Sequence, residues 1–164
     1  MESPSSNPTP DILVFGSRAD RHAVEEGLVF APKFDEHGLI PAIATDVASG
    51  AVLMVAYMNE ESLRETLRRG EAVYYSRSRK TLWHKGGSSG HVQVVREILV
   101  DCDQDALVLK VDQKGPGCCH VGYTGCFFRG VPFGSDLPVT TPDNPLPLHL
   151  TEAGKAYDPK AVYG

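Results

Sequence analysis

The chain has 164 residues, 41% of them hydrophobic and 23% charged, a balance that suits one domain with a buried core. Its net charge of −5 argues against non-specific nucleic-acid binding, and no apolar run is long enough to span a bilayer. No charged-then-apolar leader opens the sequence, so cytoplasmic residence is expected, and there four cysteines read as metal ligands or catalytic thiols rather than disulfides.

Met1–Pro10 is rich in Ser, Pro and Asn and reads as a disordered tail. A short helix is expected within Ser17–Gly27, with Asp20 as its N-cap and Gly27 as its stop. Leu39–Asp46 and Ala51–Tyr57 form a predicted hairpin around the turn Val47–Gly50, with Pro41 near the start of the first strand, where a proline is tolerated. Asn59 caps the best-defined helix. Glu60 and Glu61 sit in its positive first turn, Leu63 and Leu67 share a face, Arg68 and Arg69 sit in the last turn, and Gly70 ends it. That helix reads as scaffold.

Ala72–Ser76 is a short predicted strand, and Ser76–Gly90 reads as a polar loop. His91–Cys102 alternates, with Val92, Val94, Ile98 and Val100 on one face and Gln93 and Glu97 on the other. It turns through Asp103–Gln104–Asp105 into a partner strand, Ala106–Gln113. The glycine-rich loop Lys114–Gly125 leads to a last short strand, Cys126–Arg129. Gly130–Gly164 carries half of the twelve prolines and reads as an extended tail that wraps the body or a partner.

Chemistry concentrates in two stretches. In the first, Asp101, Asp103 and Asp105 alternate around a turn, so their carboxylates can converge on one hard cation such as Mg²⁺. A solvated acidic turn is the plainer reading. Cys102 lies among them, and Cys119 and Cys126 follow downstream, with Cys118 as a spare thiol that could stand in for Cys119. Three thiolates suit zinc and leave a tetrahedral ion one open position, the arrangement of a catalytic site; buried unreactive cysteine is the alternative. The spacing is not that of a zinc finger or ribbon, and the strand pair does not obviously return Cys119 to Cys102, so the ligands are expected to meet across two chains. His120 adjoins Cys119 and suits acid/base work, although it could instead be a fourth ligand closing the site.

The second stretch is Ser76–Lys80 with Lys85–Gly90. Arg77, Arg79, Lys80 and Lys85 bring four positive charges without an acid, beside Ser76, Ser78, Ser88, Ser89 and freed glycine amides. Such a set binds phosphate, and Trp83 can stack on a base or anchor the core. A phosphorylated nucleotide-like substrate accounts for the combination.

The segments GLIPAIATD, VLMVAYMNEESL, YYSRSRKTLWHKGGSSGHVQ, VDCDQDALVLKV and GPGCCHVGYTGCFFR, in that order, resemble the phosphoribosyl-AMP cyclohydrolase family over about Phe34 to Arg129. The resemblance implies an α+β subunit, a small mixed β-sheet or roll with few helices, in an intertwined homodimer. It implies an N-terminal extension over 1–30, a catalytic domain over 31–130 and a proline-rich tail over 131–164. The implied reaction is hydrolytic opening of the adenine ring of 1-(5-phosphoribosyl)-AMP between N1 and C6, giving the formimino-AICAR ribotide, the third step of histidine biosynthesis. Carried over by motif, Zn²⁺ is held by Cys102, Cys119 and Cys126 from both subunits, Mg²⁺ by Asp101, Asp103 and Asp105, and His120 takes the catalytic position. The implied partners are the nucleotide and a second subunit, with no nucleic acid or membrane, and the chain is too short for the pyrophosphohydrolase fused to some members. Two other classes stand against this one: a non-catalytic zinc-stabilised nucleotide- or nucleic-acid-binding module, and an oxidised disulfide protein.

Overall fold

The computed structural model describes residues 13–163, so the expected Met1–Pro10 tail lies outside it. The first helix, α1 (Arg21–Glu26), starts where expected: the Asp20 carboxylate accepts from the His22 and Ala23 amides, and the chain leaves the helix at Gly27.

The body is a mixed sheet. Strands β1 (Ile40–Asp46) and β2 (Val52–Met58) form the expected antiparallel hairpin. Strands β5 (Gln93–Val100) and β6 (Leu107–Gln113) form another, and β6 lies parallel to β1. The order is β2-β1-β6-β5, which puts β1 and β6 in the middle. Their alternate residues make the centre of the core: Ile40, Ala42 and Ala44 with Leu107, Leu109 and Val111 are wholly buried.

Helix α2 (Glu60–Arg69) packs on β2 and on β3 (Val73–Ser76). Its start is a reciprocal cap: the Asn59 side chain accepts from the Ser62 amide at 2.8 Å, and the Ser62 hydroxyl accepts from the Asn59 amide at 2.9 Å. Gly70 ends it in the left-handed conformation, which a side chain would strain. The buried face is Ser62, Leu63 and Thr66, whereas Leu67 stands 37% exposed. Thr66 faces inward because its hydroxyl accepts from the Val73 amide at 3.0 Å and ties the helix to the next strand.

Four expectations are corrected. Ser76–Gly90 is not one polar loop: β4 (Thr81–His84) lies inside it and pairs with β3, so Arg77–Lys80 is a hairpin turn, with Lys80 at φ +51°. Gln93 lies on the core face, shared with Ile98 and with Val100 opposite the buried Leu107, rather than on the face away from them. A bulge between Val95 and Glu97 shifts the pairing register, so one alternation cannot describe the whole strand. Gln93 is buried because it is paired: it accepts from the Tyr74 hydroxyl at 2.6 Å and donates to Gln113 at 3.0 Å.

The last strand of the body, β7 (Arg129–Gly130), is shorter than the expected Cys126–Arg129. Its partner is β8 (His149–Leu150), and α3 (Pro159–Tyr163) follows, so the proline-rich segment is not wholly extended. Among the described residues no helix is long and apolar enough to cross a membrane. Small mixed sheets with few helices match the architecture read from the sequence.

Candidate active site

The candidate metal-binding residues fall at the two ends of β6. Before it lies the turn Asp101–Ala106. The Asp101 carboxylate accepts from the Asp105 and Ala106 amides at 2.9 and 3.2 Å, which folds the turn and brings the acids together. Among the described residues, Asp101, Asp103 and Asp105 are the group of possible ligands whose oxygens all lie within 4.8 Å of one another. Hydrogen bonding to Asp101 and Asp103, then their repulsion, pushes Asp105 up to about 6. Burial acts to raise Asp101, but hydrogen bonds from Asp105, Asp103 and the Ala106 amide together outweigh it and hold that carboxyl below its usual range. An all-oxygen, mutually repelling set of this size fits a hard divalent cation.

The turn is held from behind by Gln104, which is 4% exposed and has φ +59°. Its carboxamide accepts from the Ala31 amide at 2.8 Å and donates to the Val24 carbonyl at 2.9 Å. Its backbone carbonyl accepts from Lys33 N at 2.7 Å, and the Arg18 guanidinium donates to the Asp103 carbonyl at 2.9 Å. The segment around α1 therefore braces the acidic turn.

After β6 comes the cysteine loop. Cys118 and Cys119 are buried and Cys126 is exposed. Cys126 N donates to the Leu53 carbonyl at 2.7 Å and the Cys118 thiol to the same carbonyl at 3.6 Å, which fixes the loop to the start of β2. The Cys126 thiol is influenced by the neighbouring thiols of Cys118 and Cys119; the interaction with Cys118, with desolvation, pushes it up. The same contact with Cys126, helped by the Lys85 charge, lowers Cys118. Cys119 and Cys126 thus offer two thiolates on one loop, although the sulfurs of Cys118, Cys119 and Cys126 do not all lie within 4.8 Å of one another. Cys102, exposed in the acidic turn, is at the far end of β6, a strand about 20 Å long. One chain cannot bring it to Cys119.

The basic residues and His120 surround two adjoining cavities. One, of about 470 Å³, is lined by Ser76, Arg77, Ser78, Arg79 and Trp83 together with Tyr57 and Tyr75. The other, of about 440 Å³, is lined by Arg79, Trp83, Lys85, Ser88, Ser89 and the exposed His120. All eight residues expected to contact substrate therefore line one space or the other, and Arg79 and Trp83 line both. Trp83 is half-buried against the core and Tyr74 while still facing both cavities, so its anchoring and ligand-facing roles coexist.

Lys85 sits deeper than a surface phosphate-binding lysine: it is 6% exposed and its ammonium donates to the Cys118 carbonyl at 2.8 Å. The Arg77 guanidinium lies 4.1 Å from the centre of the Tyr57 ring. Residue-by-residue reading missed Tyr57, Tyr75 and Val162 among the lining residues, and Gln104 and Arg18 behind the acidic turn. Their signal is tertiary; only the lone polar Gln104 inside an acidic turn could have hinted at a special backbone position.

The model of the family described as phosphoribosyl-AMP cyclohydrolase matches residues 54–128. Relatives carrying that name cover most of the chain. One from Rhodopseudomonas palustris strain TIE-1 is 53% identical over 142 residues, 86% of this chain and 89% of the relative. Another, from Bradyrhizobium diazoefficiens, is 48% identical over 145 residues, 88% of this chain and 97% of the relative. One from Nitrobacter winogradskyi is 50% identical over 139 residues, 85% of this chain and 90% of the relative.

Proposed function

Because the chain belongs to the phosphoribosyl-AMP cyclohydrolase family, we propose that it opens the adenine ring of 1-(5-phosphoribosyl)-AMP, as read from its motifs. The reaction adds water at C6 and breaks N1–C6. The water oxygen becomes the oxygen of the new carboxamide, and N1 leaves as the amidine nitrogen carrying the ribosyl phosphate. The observation that carries this reading is the convergence of His120, Trp83, Arg79, Lys85, Ser88 and Ser89 on one cavity beside the cysteine loop.

The chain's own groups divide the work. Arg77, Arg79 and the serine hydroxyls of the β3–β4 turn and of Ser88–Ser89 hold the two phosphates. The half-exposed face of Trp83 takes the purine, so binding energy from the phosphates positions C6. His120, exposed on the loop surface, takes a proton from the attacking water and delivers it to the departing N1. Lys85 holds the loop that carries His120 through the Cys118 carbonyl.

Cys119 and Cys126 of one chain with Cys102 of a second would hold zinc, which supplies water activated near neutral pH. Asp101, Asp103 and Asp105 would hold magnesium, which supplies positive charge to offset a phosphorylated substrate. Homodimerisation is part of this reading, supported by the separation of Cys102 from Cys119 along β6 and by exposed apolar residues such as Phe127, Val131, Phe133 and Leu148. The domain limits 31–130 and a cytoplasmic location complete it.

Ring opening is followed by the absorbance of the opened product, with zinc measured on the same sample. Cys126→Ala is expected to lose both bound zinc and activity while remaining folded. A variant that keeps both removes Cys126 from the site, and a wild-type protein that leaves the purine intact overturns the assignment in favour of a zinc-stabilised binding module.

A further inference from the structure

The C-terminal segment beyond β8 lies outside the residues matched by the family model, yet it ends against the candidate active site. Ala156 N and Tyr157 N both donate to the Gly122 carbonyl, at 2.7 and 3.1 Å. The Tyr157 hydroxyl donates to the Cys119 carbonyl. That carbonyl also accepts from Gly122 N at 3.0 Å, so both its lone pairs are used. The ring of Tyr157 meets His91 edge-on, with centres 5.7 Å apart.

The loop is shaped to receive this segment. Gly122 has φ +108°, and a Cβ there would lie 2.5 Å from the Tyr157 carbonyl and 3.1 Å from Pro159 Cδ. Any side chain would push the segment away. Further on, α3 places Val162 in the lining of the cavity that holds His120. Apart from the Tyr157 and Lys85 contacts, the turn bearing Cys119 and His120 is tied by Gly122 N to Cys119 O and by Cys119 N to Tyr123 O, the latter at 3.3 Å. Lys85 grips the loop at Cys118 and Tyr157 grips it one residue later, at Cys119.

We propose that residues 152–163 form a strap that fixes the Cys119–His120 turn and completes the substrate cavity, with Tyr157 as its positioning residue. Cys119 is 2% exposed, packed with Tyr123 and Phe128, and the strap holds its carbonyl and so sets where the adjacent imidazole projects. Small displacements of such a group are costly, because proton transfer requires hydrogen-bond reach to the reacting atom. The inference goes beyond the ring-opening reading, and only its kinetic test rests on that reading.

The test uses the full-length protein with Tyr157→Phe, which removes the hydroxyl alone, and Tyr157→Ala, which also removes the ring. In metal-free protein, iodoacetamide labelling of Cys119, located by mass spectrometry, is expected to accelerate about tenfold in Tyr157→Ala, since local opening controls access to a buried thiol. Far-UV circular dichroism and the unfolded fraction at the labelling temperature should match wild type. In the metal-loaded enzyme Tyr157→Phe should lower kcat about tenfold, with KM little changed and the melting temperature preserved.

Unchanged labelling of Cys119 in Tyr157→Ala overturns the strap, as does acceleration matched by an equal rise in the unfolded fraction, which would signal general unfolding. Wild-type kcat in Tyr157→Phe removes the positioning role of the hydroxyl. If wild-type protein does not open the ring, the functional reading falls while the Cys119 labelling rate still decides the strap.

Discussion

Gln104 illustrates how a single residue can carry a turn. Its carboxamide reaches back to the Ala31 amide and the Val24 carbonyl, and both would lose that partner in Gln104→Ala. A buried group left unpaired costs about 1–3 kcal/mol, so the variant is expected to lose about 2 kcal/mol of stability in urea or thermal unfolding. Replacement by glycine would relax the positive φ but leave the same groups unpaired, so it should recover only part of the loss. Ring-opening activity should fall in both, because the turn carries Asp101, Cys102, Asp103 and Asp105. Lys85 makes the complementary point: a lysine in a basic stretch reads as a phosphate contact, yet its ammonium is held inside by the Cys118 carbonyl and lies 5.0 Å from the centre of the Trp83 ring.

Among the elements, α2 is the one whose limits are written most plainly in local sequence. The reciprocal bonds between Asn59 and Ser62 satisfy two otherwise orphaned amides at its start. Asn59→Ala is expected to destabilise the protein by about 1 kcal/mol, with an intact site, measured as a lower melting temperature at unchanged KM. The β3–β4 hairpin shows the opposite case. Four-residue strands carry too little periodicity to stand out beside Arg77–Lys80, and it is pairing of Tyr74 with Trp83 and of Val73 with His84 that makes Thr81–His84 a strand. The consequence for function is that the basic residues ride on a rigid turn next to two cavities.

For the whole molecule, the decisive geometry is the length of β6, which keeps Cys102 away from Cys119 and Cys126. In a twofold dimer with shared sites, Cys102→Ala and Cys126→Ala should each be inactive alone. Co-expressed, half the dimers combine both chains, and each of those keeps one complete site of two, so about a quarter of wild-type activity should return. No recovery in purified mixed dimers would show that each site is built within one chain.

Local chemistry in the sequence determined the helix starts at Asp20 and Asn59, the two principal hairpins, and the acidic and cysteine-bearing turns, because caps, turn residues and alternation act over a few positions. It also supplied every residue later found around the two cavities that had been expected to contact substrate. Tertiary structure alone decided that Gln93 faces inward, that Lys85 is buried, that the segments around α1 and α3 each brace one turn, and that Cys102 and Cys119 lie at opposite ends of a strand. Those outcomes depend on register, on a bulge and on contacts between residues far apart in the chain, and no local pattern encodes where such partners meet.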